Sequence, residues 1–230
     1  MKNNRGLLTT FIIATIFLYS VGCVKGEGKK EAVRKAFEGF KGQYVLYASK
    51  KTHILEVFAR NGERVASYKI AYGLNPDRKP KLCEGDNRTP EGNYRIKEIL
   101  SMDAEKKSEA YQKLRRMNGI YFYARHGHFK YNNPKADLGD NAYGPRFFLI
   151  DYPSQRDWER YRDALKKGAV PVKNGKVRGI GYGLAIHGNA DPESIGHLAS
   201  SGCLRMYNQD IIELEQYVQL GTPVIISGDQ

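Results

Sequence analysis

From residue 43 onward, apolar and polar positions alternate in short bursts, the period of two expected of half-buried strands. Tyr44-Val45-Leu46-Tyr47, Ile54-Leu55-Glu56-Val57-Phe58 and Val65-Ala66-Ser67-Tyr68-Lys69-Ile70-Ala71 are three such bursts. Asn61-Gly62 separates the second from the third, and Asn-Gly supplies the positive-φ pair of a tight hairpin turn. An antiparallel meander is predicted. Residues 72–92 are rich in Gly, Pro and Asn and read as a loop, followed by a strand over 94–99. Residues 103–117 are charged with sparse apolar positions, the pattern of a surface helix. Phe147-Phe148-Leu149-Ile150 is short and wholly apolar, which suits a buried strand.

Residues 155–167 set Trp158, Tyr161 and Leu165 at helical spacing, a stripe for docking on a sheet. Leu184-Ala185-Ile186 forms a strand with His187 at its end, and 196–201 is a loop of small residues that lets a ligand approach the backbone. Asn208 is a good N-cap and Asp210 suits a first helical turn. Ile211, Leu214, Tyr217 and Val218 continue that helix as one stripe towards Gly221, a C-cap signal. Pro223-Val224-Ile225-Ile226 makes a final strand.

The amino-terminal pattern differs. Residues 1–5 are short and basic, and 7–21 form an apolar run, shorter than the roughly 20 residues of a spanning helix. A charged head before an apolar middle reads as an export signal over 1–22. Gly22-Cys23 resembles a lipoprotein box, with Cys23 as the lipidated mature terminus; ordinary cleavage and an uncleaved anchor are the alternatives. Residues 23–42 read as a basic spacer with weak helical periodicity over 31–40.

Length and composition narrow the class. A chain of 230 residues is one domain, or one domain with decoration. Its 16 Tyr, 9 Phe and 24 Gly suit a turn-rich β fold over a helical bundle. The formal charge of +12 favours polyanions or anionic surfaces. Nucleic acid is excluded as the expected partner because no helix–turn–helix, zinc-finger or ribonucleoprotein motif is present and an export signal is.

One stretch carries chemistry: Ile186-His187-Gly188, then Ser200-Ser201-Gly202-Cys203-Leu204-Arg205-Met206. A thiolate is a nucleophile, an imidazole can take its proton, and backbone N–H groups around a glycine can face an oxyanion. An arginine two residues on can hold a carboxylate. Taken singly, a lone Cys is more often core and a lone His structural. Arg125-His126-Gly127-His128 offers two histidines without companion ligands and reads as a loop near a cleft. Cys83 reads as an incidental thiol.

The spacing of His187-Gly188 and Ser200-Ser201-Gly202-Cys203-Leu204-Arg205-Met206 resembles the motif of the L,D-transpeptidases, the YkuD-type domain, although that family often has His at the position of Ser201. Glu84-Gly85-Asp86-Asn87-Arg88-Thr89-Pro90-Glu91-Gly92-Asn93-Tyr94 is similar to the family's Gly-Asp-x-x-Thr-Pro-Glu-Gly-x-Tyr segment, and Gly221-Thr222-Pro223-Val224 to its closing strand. The resemblance implies a β-rich α+β fold, a sandwich or open barrel of mixed sheets with a few peripheral helices, as a catalytic domain over 43–228. It implies Cys203 as nucleophile and His187 as general base, with the Gly188 carbonyl orienting the imidazole. Gly202 and Cys203 N–H groups become the oxyanion donors, and Ser200, Ser201 and Arg205 line the substrate site. It implies no metal or organic cofactor. The expected partners are peptidoglycan stem peptides, with water, a second stem or an envelope-protein lysine as acceptor, and the chain is read as a monomer outside the cytoplasm. A non-catalytic peptidoglycan binder and an ordinary cysteine peptidase are the rivals. Papain-like peptidases place Cys first and His far downstream, the reverse of the order here. A disulfide between Cys83 and Cys203 would silence the enzyme.

Overall fold

The structure, a computed structural model, describes residues 21–228, with side chains from residue 28. The export signal expected over 1–22 falls almost wholly outside these residues, and the Cys23 side chain lies outside them too. In chain order the elements are α1 (Val21–Ala36), β1 (Tyr44–Ser49), β2 (Ile54–Ala59), β3 (Arg64–Lys69), β4 (Tyr72–Gly73) and β5 (Gly92–Ser101). Then come α2 (Glu109–Asn118), β6 (Phe129–Lys130), β7 (Asn133–Asp137), β8 (Arg146–Ile150), α3 (Gln155–Lys166), β9 (Val172–Lys173) and β10 (Lys176–Val177). The chain closes with β11 (Ala185–His187), β12 (Leu198–Ser200), β13 (Leu204–Arg205), α4 (Asn208–Leu214) and β14 (Pro223–Ser227). Among the described residues no helix is long and apolar enough to cross a membrane.

The fold is strand-rich α+β, a curled mixed sheet with few helices. Eight strands run in the order β13-β11-β8-β5-β14-β1-β2-β3, and only β1–β14 and β11–β13 pair in parallel. The meander β1-β2-β3 forms as its alternation requires, with Gly62 at φ +84° in the second turn. One sheet face buries Leu46, Leu55, Val57, Phe148, Ile186, Leu204 and Val224 in the main core.

Three elements depart from the sequence reading. The first helix covers Val21–Ala36 and stops before Gly39, so the periodicity over 31–40 marks its last turns and the cap beyond. It is more than a spacer: Val33 and Phe37 pack on Val45, Tyr47 and Ile225 across the outer sheet face. On α3 the buried face is Asp157, Tyr161 and Ala164, while Trp158 and Leu165 are exposed. The polar position wins because the Asp157 carboxylate closes the Ser154 capping box and accepts from Tyr94 Oη at 3.0 Å and Arg160 at 2.9 Å. Finally, α4 ends at Leu214, well short of Gly221, and its N-cap is Tyr207, not Asn208.

Buried charges fasten the long loop after β4. Lys50, 2% exposed at the end of β1, donates to Glu91 Oε1 and Arg78 O, both at 2.6 Å. An ammonium this buried is tolerated only when paired, so the loop is tied to the sheet wherever Lys50 goes. At the start of β8, Arg146 is likewise buried and ion-paired with Glu215 and Asp103.

Candidate active site

The registers of β8, β11 and β13 decide which side chains converge. Phe147, His187 and Arg205 lie in one cross-strand row, and Phe148, Ile186 and Leu204 in the next. The second row is at most 2% exposed and points into the main core. Because side chains alternate along a strand, Ala185, His187, Cys203 and Arg205 fall together on the other face. There Leu100, Leu114, Phe147 and Ala185 form a separate apolar cluster against which Cys203 and Tyr143 pack.

His187 is 3% exposed. Its ring stacks on Phe147 at 5.7 Å and meets Tyr143 edge-on at 5.2 Å. Nδ1 lies 2.5 Å from Gly188 O, which assigns the proton to Nδ1 and leaves Nε2 as the free acceptor. Burial, with the Arg205 guanidinium adding to it, pushes the imidazole pKa down to about 3 against the weaker pull of the Gly188 carbonyl. Burial also pushes the Cys203 thiol up, opposed by the Ala185 N–H and the positive charges of Arg205 and Lys81. The resting pair is therefore a neutral thiol and a neutral imidazole. The thiol's hydrogen bond in this state goes to Gly183 O at 3.8 Å.

The loop before Cys203 is clamped from two sides. Ser200 Oγ accepts from Gly202 N at 3.0 Å and donates to Cys203 O at 2.6 Å. Thr89, 1% exposed, donates to Gly202 O at 2.7 Å and accepts from Gly73 N at 2.9 Å. Gly202 has φ +137°, and a Cβ there would sit 2.7 Å from Arg88 O, so only glycine fits between the two segments. Asp86 holds the 82–88 stretch by accepting from Lys81 Nζ and from the backbone N–H groups of Leu82, Cys83 and Arg88. The Gly-Asp-x-x-Thr-Pro segment and the cysteine loop are thus joined through Thr89 and Arg88.

Arg205 donates from one terminal nitrogen to Ala199 O at 3.0 Å and exchanges backbone hydrogen bonds with Ala71. Its Nε is buried without a hydrogen-bond partner. Ser201 is exposed. Gly188 sits where a Cβ would come 2.4 Å from Asn208 Oδ1. That oxygen accepts from Asn189 N at 2.8 Å, so Asn208 fastens the loop after His187 and does not cap its own helix.

The Ser200, Gly202, Cys203, Arg205, His187 and Gly188 positions are brought together. Gly202 N–H, expected as an oxyanion donor, is instead taken by Ser200 Oγ. Sequence reasoning gave Thr89 and Tyr143 no part in the site and read Asn208 only as a helix N-cap. Thr89 stood inside a quoted motif, whereas Tyr143 was legible only as a neighbour of Gly144-Pro145, a turn signal. His126 packs on Tyr123 and His128 on Phe122. Among the described residues no group of three or more His, Cys, Asp or Glu could hold a metal ion. Cys83 and Cys203 are both free, and they pack in different apolar clusters.

A profile of the L,D-transpeptidase catalytic domain (YkuD) matches residues 43–226. The chain belongs to the L,D-transpeptidase family. Among Bacillus subtilis (strain 168) proteins, "Putative L,D-transpeptidase YqjB" is 43% identical over 77 residues, 30% of this chain and 44% of that protein. "Putative L,D-transpeptidase YkuD" of the same organism is 52% identical over 42 residues, 18% of this chain and 26% of its own length. These matches thus span under half of either relative. Solved structures with a similar course include Bd1075 of Bdellovibrio bacteriovorus, 24% identical with TM-score 0.46 over 83% of this chain and 49% of that one. Another is the helical cell shape determining protein Pgp2 of Campylobacter jejuni, 20% identical with TM-score 0.47 over 82% and 48%.

Proposed function

We propose that this member of the family is a peptidoglycan L,D-transpeptidase whose nucleophile is Cys203. The observation that carries the proposal is the convergence of Cys203, His187 and Arg205 on one sheet face, with the His187 tautomer fixed by Gly188 O. The substrate is a stem tetrapeptide of the wall polymer. On binding, the thiol turns from Gly183 O towards His187, whose Nε2 takes its proton. Sulfur attacks the carbonyl of the third residue at its L-configured centre, and the N–H of Cys203 is the candidate oxyanion donor. The tetrahedral adduct collapses to a thioester. The C–N bond to the terminal D-alanine breaks, and the leaving amine takes the proton held on His187. An acceptor amine then gives a proton to His187, attacks the thioester and forms a new amide, returning the thiol. Arg205 serves the substrate carboxylate or the loop.

The acceptor names the reaction: a second stem gives a cross-link, a protein lysine gives anchoring, and water gives L,D-carboxypeptidation or release. The test incubates the full chain, wild type and Cys203→Ala, with disaccharide-tetrapeptide and follows products by mass spectrometry. A dimer lacking one D-alanine means transfer, and a tripeptide means hydrolysis. Either product must vanish in Cys203→Ala. Intact tetrapeptide with the wild type, and no turnover of protein-linked muropeptides, would leave a peptidoglycan-binding protein as the better reading.

A further inference from the structure

One peptide unit stands between His187 and α4. The imidazole Nδ1 donates to Gly188 O, and the N–H of that same unit, carried by Asn189, donates to Asn208 Oδ1 at 2.8 Å. A trans peptide is planar, with its carbonyl and its N–H on opposite edges. Holding one edge therefore sets the direction of the other. Phe147 and Tyr143 confine the faces of the imidazole, and the bond to Gly188 O sets its rotation in that slot. Because a backbone N–H only donates, the Asn208 atom that faces it is necessarily the carbonyl oxygen. The surroundings leave room for that oxygen: a Cβ on Gly188 and a Cβ on Gly144 would each come 2.4 Å from it. Asn118 in turn holds the Gly144 turn, donating from Nδ2 to Gly144 O at 2.8 Å and accepting from Tyr143 N at 3.1 Å. The bond is no by-product of helix capping, since α4 begins at Asn208 without a side-chain cap.

We propose that Asn208 is the positioning residue of the catalytic base: through the 188–189 peptide it aims the Gly188 carbonyl at His187 Nδ1 and so fixes where Nε2 points. This rests on the function proposed above, in which His187 takes the Cys203 proton. Hydrogen bonds in a chain polarise one another, so an amide that donates to Asn208 is a better acceptor for the imidazole N–H. That gain grows when the ring becomes an imidazolium, the state in which it is needed. Asn208 acts through the peptide and not on the reacting atoms. Its loss should therefore lower kcat and leave KM in place.

The experiment compares the full chain as wild type, Asn208→Ala and Asn208→Asp. Asn208→Ala removes the acceptor at an exposed position and places a strong helix former there, so α4 is kept. Asn208→Asp returns an oxygen at the same reach. Proton NMR of protein isotope-labelled at histidine reads the Nδ1–H of His187 without turnover, the signal being assigned by its absence in His187→Gln. In Asn208→Ala that signal is expected to move upfield and to exchange with water faster. Transfer from disaccharide-tetrapeptide should lose about tenfold in kcat, with KM within about twofold. Asn208→Asp restores most of both. The proposal is overturned by an Nδ1–H signal unchanged in Asn208→Ala, by a loss in Asn208→Asp as large as in Asn208→Ala, or by a raised KM with kcat intact. A wild type without turnover removes the function proposed above, while the NMR comparison still decides the role of Asn208.

Discussion

Replacing Thr89 by valine removes one oxygen while keeping shape. That oxygen accepts from Gly73 N at 2.9 Å and donates to Gly202 O at 2.7 Å, in a residue 1% exposed. Both backbone partners are buried, so Thr89→Val strands an N–H and a carbonyl. Each stranded buried group costs about 1–3 kcal/mol, giving about 2–6 kcal/mol together. In a chain of this size each kcal/mol moves the melting midpoint by about 2–4 °C, so a fall of at least ~4 °C is expected. The loss is local to the loop that carries Cys203, and acylation should therefore fall further than stability alone explains. Thr89→Ser, which keeps the hydroxyl, should recover most of both. The measurements are thermal unfolding by circular dichroism and the acylation rate with tetrapeptide, each at a temperature where the variants remain folded. If Thr89→Val melts within ~1 °C of wild type and acylates at the same rate, the clamp between the two motifs has no energetic content.

Three further outcomes follow from the same geometry. Burial raises the Cys203 thiol pKa, so its alkylation by iodoacetamide, read by peptide mapping, should keep climbing past the ordinary thiol value of ~8.5; a plateau below pH 7 would show a preformed ion pair. Burial alone would raise the Asp86 carboxyl, but Lys81 and the loop N–H groups outweigh it and hold its pKa low. A folded pKa below the unfolded value means stability present above ~3.9 and lost as pH falls through the folded value. Asp86→Asn should therefore lower the melting midpoint at pH 7 and flatten its decline in acid, and an unchanged acid limb contradicts this. Gly202→Ala, with its Cβ 2.7 Å from Arg88 O at φ +137°, should cut acylation about 100-fold while the far-ultraviolet spectrum is kept; near-normal acylation would mean the loop yields freely.

The parts of the fold legible in the sequence are those where one local pattern dominates. The meander β1-β2-β3 follows from alternation and Asn61-Gly62, and the apolar run of β8 from its composition. Where a polar side chain finds several buried partners, pattern misleads. Asp157 takes the core-facing position of α3 and turns Trp158 outward. Asn208, an apt N-cap by residue type, spends its carbonyl oxygen on Asn189. The site behaves similarly. Cys203 and His187 could be singled out by spacing, and they share a face because Cys203 directly precedes β13, which pairs in parallel with the strand of His187. Thr89 reaches Gly202 and Tyr143 reaches His187 across 113 and 44 residues of sequence respectively, contacts that no local period encodes.

The electrostatics of the site also disfavour the ion pair at rest. Burial and the Arg205 charge both oppose an imidazolium at His187, and burial opposes a thiolate at Cys203. Proton transfer between the two makes both ions at once, so each penalises the resting exchange. Arg205 nonetheless keeps a buried Nε without a partner, a donor that a carboxylate could satisfy. An anion placed there would offset the positive charge that His187 now faces, and would equally remove the support that charge gives a Cys203 thiolate. Burial is the larger obstacle to both ions, and the two effects of Arg205 on the pair run in opposite directions, against the imidazolium and for the thiolate. A substrate carboxylate at Arg205 therefore acts chiefly on binding, and a neutral amide analogue of the same stem should raise KM more than it lowers kcat.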